Sequence, residues 1–148
     1  MTLFARPRQG PPSVLAQVLP LLAVAALFLG TAQARANPVD DLLRGYQKAG
    51  AANFSAKEAE AMWTKPHLDA KTGQTRRCST CHTEDLRKRG KHATTGKAID
   101  PLAPSANSER LTDPEKIEKW FGRNCKWTLG RECTPQEKGN FLVMIRAK

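Results

Sequence analysis

One five-residue stretch, Cys78-Ser79-Thr80-Cys81-His82, has residue types and a spacing that point to specific chemistry. Cys-x-x-Cys-His is the attachment motif of a c-type haem. Thiols three positions apart can form thioethers with the two vinyl groups of one porphyrin, and the adjacent imidazole can bind the iron. We therefore expect one covalently attached haem c, with Cys78 and Cys81 as thioether sites and His82 as the proximal ligand.

No methionine occurs between His82 and Met144, so the sequence offers no obvious methionine as the second axial ligand. Met144 lies among apolar residues near the end of the chain, which favours a role in core packing. His92 is ten positions past His82 in a charged segment, so a haem with two histidine ligands stays open. His67 and Met62 precede the motif and are weaker candidates.

Asn124 is the main candidate for the second ligand. Together with Ile117, Trp120 and Phe121 it follows helical spacing, which places its amide on the same face as the apolar residues. A buried amide without a partner costs about 1–3 kcal/mol, and a haem iron that binds its oxygen would be such a partner. The alternative is that Asn124 ends a helix in left-handed geometry.

The two remaining cysteines, Cys125 and Cys133, predict a disulfide if the chain is exported. A bridge that begins directly after Asn124 would tether the turn between the last two helices and keep a weak ligand near the iron. Structural zinc is disfavoured because only one short cysteine pair exists, and a thioredoxin-like dithiol because no βαβ pattern surrounds it.

The amino-terminal segment predicts export. Arg6 and Arg8 precede a largely apolar run from Val14 to Leu29, and alanines lead up to Ala36, as in a secretory signal peptide. Gln17 and Pro20 interrupt the run, which argues against a membrane anchor. We expect residues 1–36 to be removed, leaving 37–148 as one haem domain in the periplasm without stable membrane insertion.

The charge of the chain is strongly basic, at +10 over 148 residues. Three arginines fall within 1–36, so residues 37–148 still carry +7. An exported chain meets little nucleic acid, and no basic helix with interleaved base-stacking aromatics is present. Positive charge flanking the haem motif instead favours an acidic redox partner, although a solvated face explains it too. These residues are Arg76, Arg77, Arg87, Lys88, Arg89 and Lys91.

Helix signals dominate the chain after residue 36, and no long alternating run of β-branched residues suggests a sheet, so the predicted class is all-α. A short charged helix from His82 to about Arg89 and a long loop from Lys91 to Leu111 are expected. Four helix starts show capping chemistry. They are Asn37 before Pro38, Ser55 with Glu58, Thr112 with Glu115, and Thr134 with Glu137.

The chain resembles the SHP-type cytochromes c, small exported monohaem proteins that bind oxygen. The resemblance rests on the haem motif, on Pro101-Leu102-Ala103-Pro104-Ser105, and above all on Lys119-Trp120-Phe121-Gly122-Arg123-Asn124-Cys125 followed by Gly130-Arg131-Glu132-Cys133-Thr134. It implies a class I cytochrome c-like fold in which the first and last helices pack across one another. It also implies that Asn124 is a labile distal ligand and that Cys125 and Cys133 form the disulfide.

The function implied by this resemblance is binding of O2, NO or a similar small molecule after Asn124 leaves the reduced iron. Oxidase or reductase activity stays open. Electron donors implied by the resemblance are a dihaem cytochrome c and a membrane cytochrome b. The alternative function is a plain electron-transfer cytochrome whose haem remains six-coordinate.

Overall fold

The computed structural model describes Gly10, residues 37–69 and residues 72–148. The predicted signal peptide, 1–36, lies outside the described residues apart from Gly10. Helices α1 to α5 are Pro38–Lys48, Ala56–Thr64, Cys78–His82, Pro114–Leu129 and Pro135–Arg146. Two antiparallel ladders pair β1 (His67–Leu68) with β2 (Thr75–Arg76) and β3 (Gly90–Lys91) with β4 (Ala98–Ile99). In these ranges, no helix has the length and hydropathy needed to cross a bilayer.

Three of the four predicted helix starts are confirmed by their caps. The side chain of Asn37 accepts a hydrogen bond from the Val39 amide at 3.0 Å, with Pro38 in the first turn of α1. Ser55 accepts from the amide of Glu58 at 3.2 Å at the start of α2. Thr134 forms a complete capping box with Glu137 at the start of α5.

The predicted cap of α4 is wrong by one residue. Asp113, not Thr112, caps the helix, and its carboxylate accepts from the Lys116 amide at 3.0 Å. The Thr112 hydroxyl instead donates to the carbonyl of Glu109 at 2.9 Å. Pro114 takes the first helical position, so the residue directly before it is the cap.

The predicted helix from His82 to Arg89 is also wrong. Helix α3 ends at His82 because Thr83 adopts a φ of 64°, which is outside the helical region. Beyond it the chain turns inward at Leu86, a buried residue whose carbonyl accepts hydrogen bonds from the amides of Leu102 and Ala103. The following loop is irregular as expected, except for the short β3–β4 ladder.

The core has two parts, and α5 belongs to both. Val39, Leu43 and Tyr46 of α1 pack with Leu142 of α5, which confirms the expected packing of the first helix on the last. A second cluster surrounds Met144, which is a core residue with 2% exposure. Its other members are Ala59, Trp63, Leu86, Ala103, Cys125, Cys133, Phe141 and Ile145. The all-α class predicted from the sequence is confirmed.

Asn140 is the main polar residue inside this core, with 2% exposure. Its amide oxygen accepts from the Ser55 amide at 2.8 Å and from the Gln136 side chain at 3.0 Å. Its amide nitrogen donates to Glu58 at 2.8 Å. In the capping box predicted from the sequence, Glu58 would accept a hydrogen bond from the Ser55 amide. Asn140 accepts this hydrogen bond instead and so joins α5 to the start of α2.

We expect Asn140→Ala to lower the free energy of unfolding by about 2–3 kcal/mol, because the Ser55 amide and the Glu58 carboxylate at the start of α2, and the Gln136 side chain of α5, lose their hydrogen-bond partner. Asn53→Ala is the matched control, since the Asn53 side chain is exposed. Urea unfolding of the mature protein, followed by circular dichroism, measures both. Equal stability of the two variants would contradict this role for Asn140.

The stability of the α5 start should depend on pH. Arg131 pairs with Glu137 at 2.7 Å, and this hydrogen-bonded partner holds the pKa of Glu137 below its usual value. A lowered folded pKa stabilises the fold above the unfolded pKa, and this stabilisation is lost as pH falls through the folded pKa. We expect Glu137→Gln to cost about 1 kcal/mol at pH 7. The gap should narrow as pH falls through the lowered folded pKa of Glu137.

The control for this pH series is Glu84→Gln, because Glu84 is exposed and forms no ion pair with the described residues. It should leave the unfolding midpoint nearly unchanged across the series. A gap for Glu137→Gln that stays constant between pH 7 and pH 3 would disprove the ion-pair origin of the effect.

Candidate functional site

A cavity of about 650 Å³ lies between α3, α4 and the loop that follows α3. Its volume falls within the usual range for ligand and cofactor sites. Cys78, Cys81 and His82 line it, and so do Asn124 and His92. The structure thus brings the haem motif together with both leading candidates for the second ligand. Met62, His67 and Met144 do not line this cavity.

The haem motif is held in place by the strand that follows it. A Cβ atom on Gly90 would lie 1.9 Å from the carbonyl oxygen of Cys81, so only glycine allows β3 to pass this close. Further along the same loop, the Ala93 amide donates to Cys81 Sγ at 3.4 Å. The β3–β4 segment therefore fixes the backbone and the thiol of Cys81 from one side.

Trp63 of α2 supports the imidazole of His82. Its indole Nε1 donates to the Thr83 carbonyl at 2.8 Å, and its ring lies 5.8 Å from the His82 ring, centroid to centroid. Phe141 of α5 packs on the edge of Trp63 with a centroid distance of 6.0 Å. A chain of aromatic contacts thus connects the last helix to the proximal ligand. No local sequence pattern indicates this contact of Trp63 with His82.

The surroundings of the cavity favour the neutral forms of His82 and Cys78. Burial, together with the positive charge of Arg110, lowers the pKa of His82 to about 4. Burial also raises the pKa of the Cys78 thiol to about 11, against a hydrogen bond with Thr128 that acts in the other direction. A neutral imidazole is the form that binds a metal.

One nitrogen of His82, Nδ1, is buried without a hydrogen-bond partner among the described residues. Its ring lines a cavity together with two free thiols, Cys78 and Cys81. The donor set of one neutral imidazole and two thiols fits a covalently attached haem.

Asn124 lies inside α4 rather than at its end. The helix continues to Leu129, and Gly130 takes the left-handed position with a φ of 71°. The helix-ending alternative for Asn124 is therefore wrong. The side chain of Asn124 is exposed where it lines the cavity, whereas Phe121, one turn earlier, packs against the core.

His92 lines the same cavity but is engaged in a turn. Its Nδ1 accepts hydrogen bonds from the amides of Thr94 and Thr95, each at 3.2 Å. Its backbone amide donates to the carbonyl of Lys97 at 2.8 Å. The ring is thus held by its own loop through Nδ1, and its Nε2 is the nitrogen left for a ligand role.

Cys125 and Cys133 form a disulfide with a Cα–Cα distance of 5.5 Å. Both residues are buried and line the cavity, and the bond joins α4 to the segment before α5. Because Cys125 directly follows Asn124, the bridge limits the movement of the helix turn that carries the amide.

Arg76 connects the haem motif to the turn of α4 just after Asn124, a contact that the sequence analysis missed. Its guanidinium donates to the Trp127 carbonyl at 2.8 Å, lies 4.7 Å from the Trp127 ring centroid, and pairs with Asp69 at 2.8 Å. Trp127 lines the cavity. No local pattern could reveal this contact, because Arg76 and Trp127 are 51 residues apart.

We expect Arg76→Ala to lower the free energy of unfolding by about 2–3 kcal/mol, because it removes a charge-assisted hydrogen bond and a stacked guanidinium. Arg76→Lys should recover only part of this, since an ammonium lacks the planar fork. Arg77→Ala is the control, because Arg77 is exposed. Urea unfolding and the near-ultraviolet circular dichroism of the tryptophans measure the effect. An equal loss in the Arg77 control would contradict the role of Arg76.

Comparisons with known proteins identify the family of this chain. A family described as a domain of unknown function (DUF1924) matches residues 49–145. The cytochrome c-type protein SHP of Cereibacter sphaeroides is 39% identical over 127 residues, which cover 86% of this chain and 97% of that protein. Cytochrome c'' of Methylophilus methylotrophus is 42% identical over 74 residues, about half of each chain.

Solved structures show the same fold. Oxidised SHP, described as an oxygen-binding cytochrome c, superposes with a TM-score of 0.66 at 38% identity, covering 74% of this chain and 96% of that one. Oxidised cytochrome c'' of Methylophilus methylotrophus gives a TM-score of 0.65 at 29% identity, covering 75% and 94%. The chain therefore belongs to the DUF1924 family and is an SHP-type cytochrome c, a helical cytochrome with one covalently attached haem c.

Proposed function

We propose that this cytochrome, once exported to the periplasm, accepts one electron and then binds O2, NO or a similar small molecule in the cavity beside Asn124. The observation that carries the proposal is that His82 and Asn124, on two different helices, line one cavity with the two free thiols. The relative SHP is described as oxygen-binding. A solution structure of cytochrome c'' concerns detachment of a haem ligand.

Cys78 and Cys81 are the residues that would hold the haem through thioethers, and His82 would bind its iron. The bound haem c supplies an iron that changes between ferric and ferrous states and can bind a diatomic molecule when ferrous. His82 enters this arrangement as a neutral base, and Trp63 and Phe141 restrict its ring on the side of the core.

Asn124 would be the replaceable ligand. An amide oxygen is a hard, weak donor, which suits ferric iron better than the softer ferrous ion. Asn124 would be the residue that a reduced iron releases, and its NH2 group would then be available to donate a hydrogen bond to an incoming molecule. The disulfide at Cys125 keeps Asn124 close while it is not coordinated.

The wall around Asn124 suits a small uncharged molecule. Ile117, Phe121 and Leu111 line the cavity and contribute apolar surface. This apolar surface loses little by meeting O2 or NO instead of water. Asn124 supplies a polar group on this wall, and it can orient the bound molecule.

A plain electron-transfer cytochrome is the second candidate, and His92 is the observation in its favour. His92 lines the same cavity, and its Nε2 is free of the turn that engages Nδ1. A histidine ligand would stay on the iron in both oxidation states and leave no position for O2 or CO. This function needs an electron donor and an electron acceptor but no small ligand.

Absorption spectra of the mature haem protein distinguish the two functions. We expect the dithionite-reduced protein to be high-spin and to shift its Soret band on addition of CO, because Asn124 no longer occupies the sixth position. Asn124→Ala should change the spectrum of the ferric protein before any reduction, whereas His92→Ala should leave that spectrum unchanged. A low-spin ferrous spectrum insensitive to CO, together with a changed His92→Ala spectrum, would establish the electron carrier instead.

We further propose that a dihaem cytochrome c and a membrane cytochrome b supply the electrons. The support for these donors is the likeness of this chain to SHP, together with the positive charge beside the cavity. An oxidase or reductase reaction would require turnover of the bound molecule.

A further inference from the structure

Of the six basic residues predicted beside the haem motif, three pair with aspartates in the structure, while Arg77, Lys88 and Lys91 are exposed and form no ion pair with the described residues. Arg76 pairs with Asp69 at 2.8 Å, and Arg87 and Arg89 pair with aspartates. These partners are Asp85 at 3.0 Å and Asp100 at 2.8 Å. Half of the six basic residues named from the sequence therefore contribute little free charge.

A second group of unpaired positive charges lies on α4, at the edge of the cavity. Lys116, Lys119 and Arg123 are exposed, and their spacing of three and four residues places them on one side of the helix. None of them forms an ion pair with a carboxylate of the described residues. Trp120 lies beside them with 45% exposure, and the Arg123 guanidinium is 5.4 Å from its ring centroid.

We call these four residues, Lys116, Lys119, Trp120 and Arg123, the α4 patch. A carboxylate within α4, Glu118, turns away from the patch, because it pairs with Lys138 at 2.6 Å and accepts a hydrogen bond from Tyr46. Two exposed carboxylates, Asp113 and Glu115, border the patch, and Asp113 accepts a hydrogen bond from the Lys116 amide. Net positive charge therefore remains on this face.

The α4 patch borders the haem cavity directly. Lys116, Trp120 and Arg123 line it, while Lys119 lies further out. Asn124 follows Arg123 on the same helix, so a partner that covers the patch would lie beside the cofactor. Aromatic and arginine residues are typical of protein interfaces, and the patch combines Trp120 with Arg123, whose guanidinium lies over the Trp120 ring.

We propose that the α4 patch is the docking surface for the electron donor, a redox protein with an acidic face. This inference rests on the proposed function and names its partner by charge. The donor loses one electron and the ferric haem iron becomes ferrous, with no bond made and no proton moved. Opposite charges on the two faces raise the rate of encounter and fix the orientation, and salt weakens both effects.

The test measures reduction of the mature ferric protein by two small probes in stopped-flow experiments. Ferrous EDTA is an anion and hexaammineruthenium(II) is a cation. Exposed charges are largely screened beyond about 10 Å at 0.1 M salt. The rate with ferrous EDTA should therefore fall as salt rises, and the rate with the ruthenium probe should rise.

Lys119→Glu reverses a charge of the patch without touching the cavity lining. We expect it to slow reduction by ferrous EDTA about three- to tenfold at low salt and to speed up the ruthenium reaction. Lys57→Glu on α2 is the matched control, since Lys57 is exposed, does not line the cavity and changes the net charge equally. It should change either rate less than twofold.

An acidic polymer tests docking of a larger partner. Poly-L-glutamate should slow reduction by ferrous EDTA in the wild type and in Lys57→Glu, and should have much less effect on Lys119→Glu. Equal rates for the two charge reversals would show that only net charge matters and would overturn the proposal. The CO spectra are independent of this result, so failure of the docking surface and failure of ligand binding can be told apart.

Discussion

Burial of the His82 imidazole is the constraint on which the rest of the site depends. An imidazole exposed to water is partly protonated near neutral pH, and the protonated ring cannot bind a metal. Helix α3 spans only Cys78–His82 and cannot bury a ring by itself. The ring is covered because Trp63 reaches the Thr83 carbonyl and Phe141 packs behind Trp63. The proximal half of the site is therefore built from α2 and α5 as much as from the motif.

The distal half depends on how firmly α4 is held. Helix α4 carries Asn124 at the cavity, and Phe121 and Cys125, which also line the cavity, pack against the core. Arg76 and the disulfide act on the same two turns, one from the segment before the haem motif and one from the segment before α5. A weak ligand benefits from such a frame, because a tethered amide can leave the metal and return without a large loss of conformational entropy. The α4 patch, at the edge of the cavity, is the surface that we propose for a partner.

The sequence predicted features whose cause is local. The caps at Asn37, Ser55 and Thr134 depend on residues two to three positions apart, so the pattern is sufficient to place them. Prediction was wrong where two local signals competed or where distant contacts took over. Thr112 had capping chemistry, but Pro114 made Asp113 the cap, and the segment after His82 had helical residues but was drawn inward at Leu86. The free charge on α4 was missed because pairing depends on which carboxylates the fold brings near.

The sequence by itself determined the cofactor chemistry and the helical class, because the haem motif spans five residues and helix periodicity repeats within a few turns. It also named both candidate ligands for the second axial position. Only the tertiary structure decided that Asn124 lies within a helix, that it and His92 share one cavity with His82, and that Arg76 contacts Trp127. These outcomes are contacts between segments tens of residues apart, and they depend on the packing of whole helices, which no local pattern encodes.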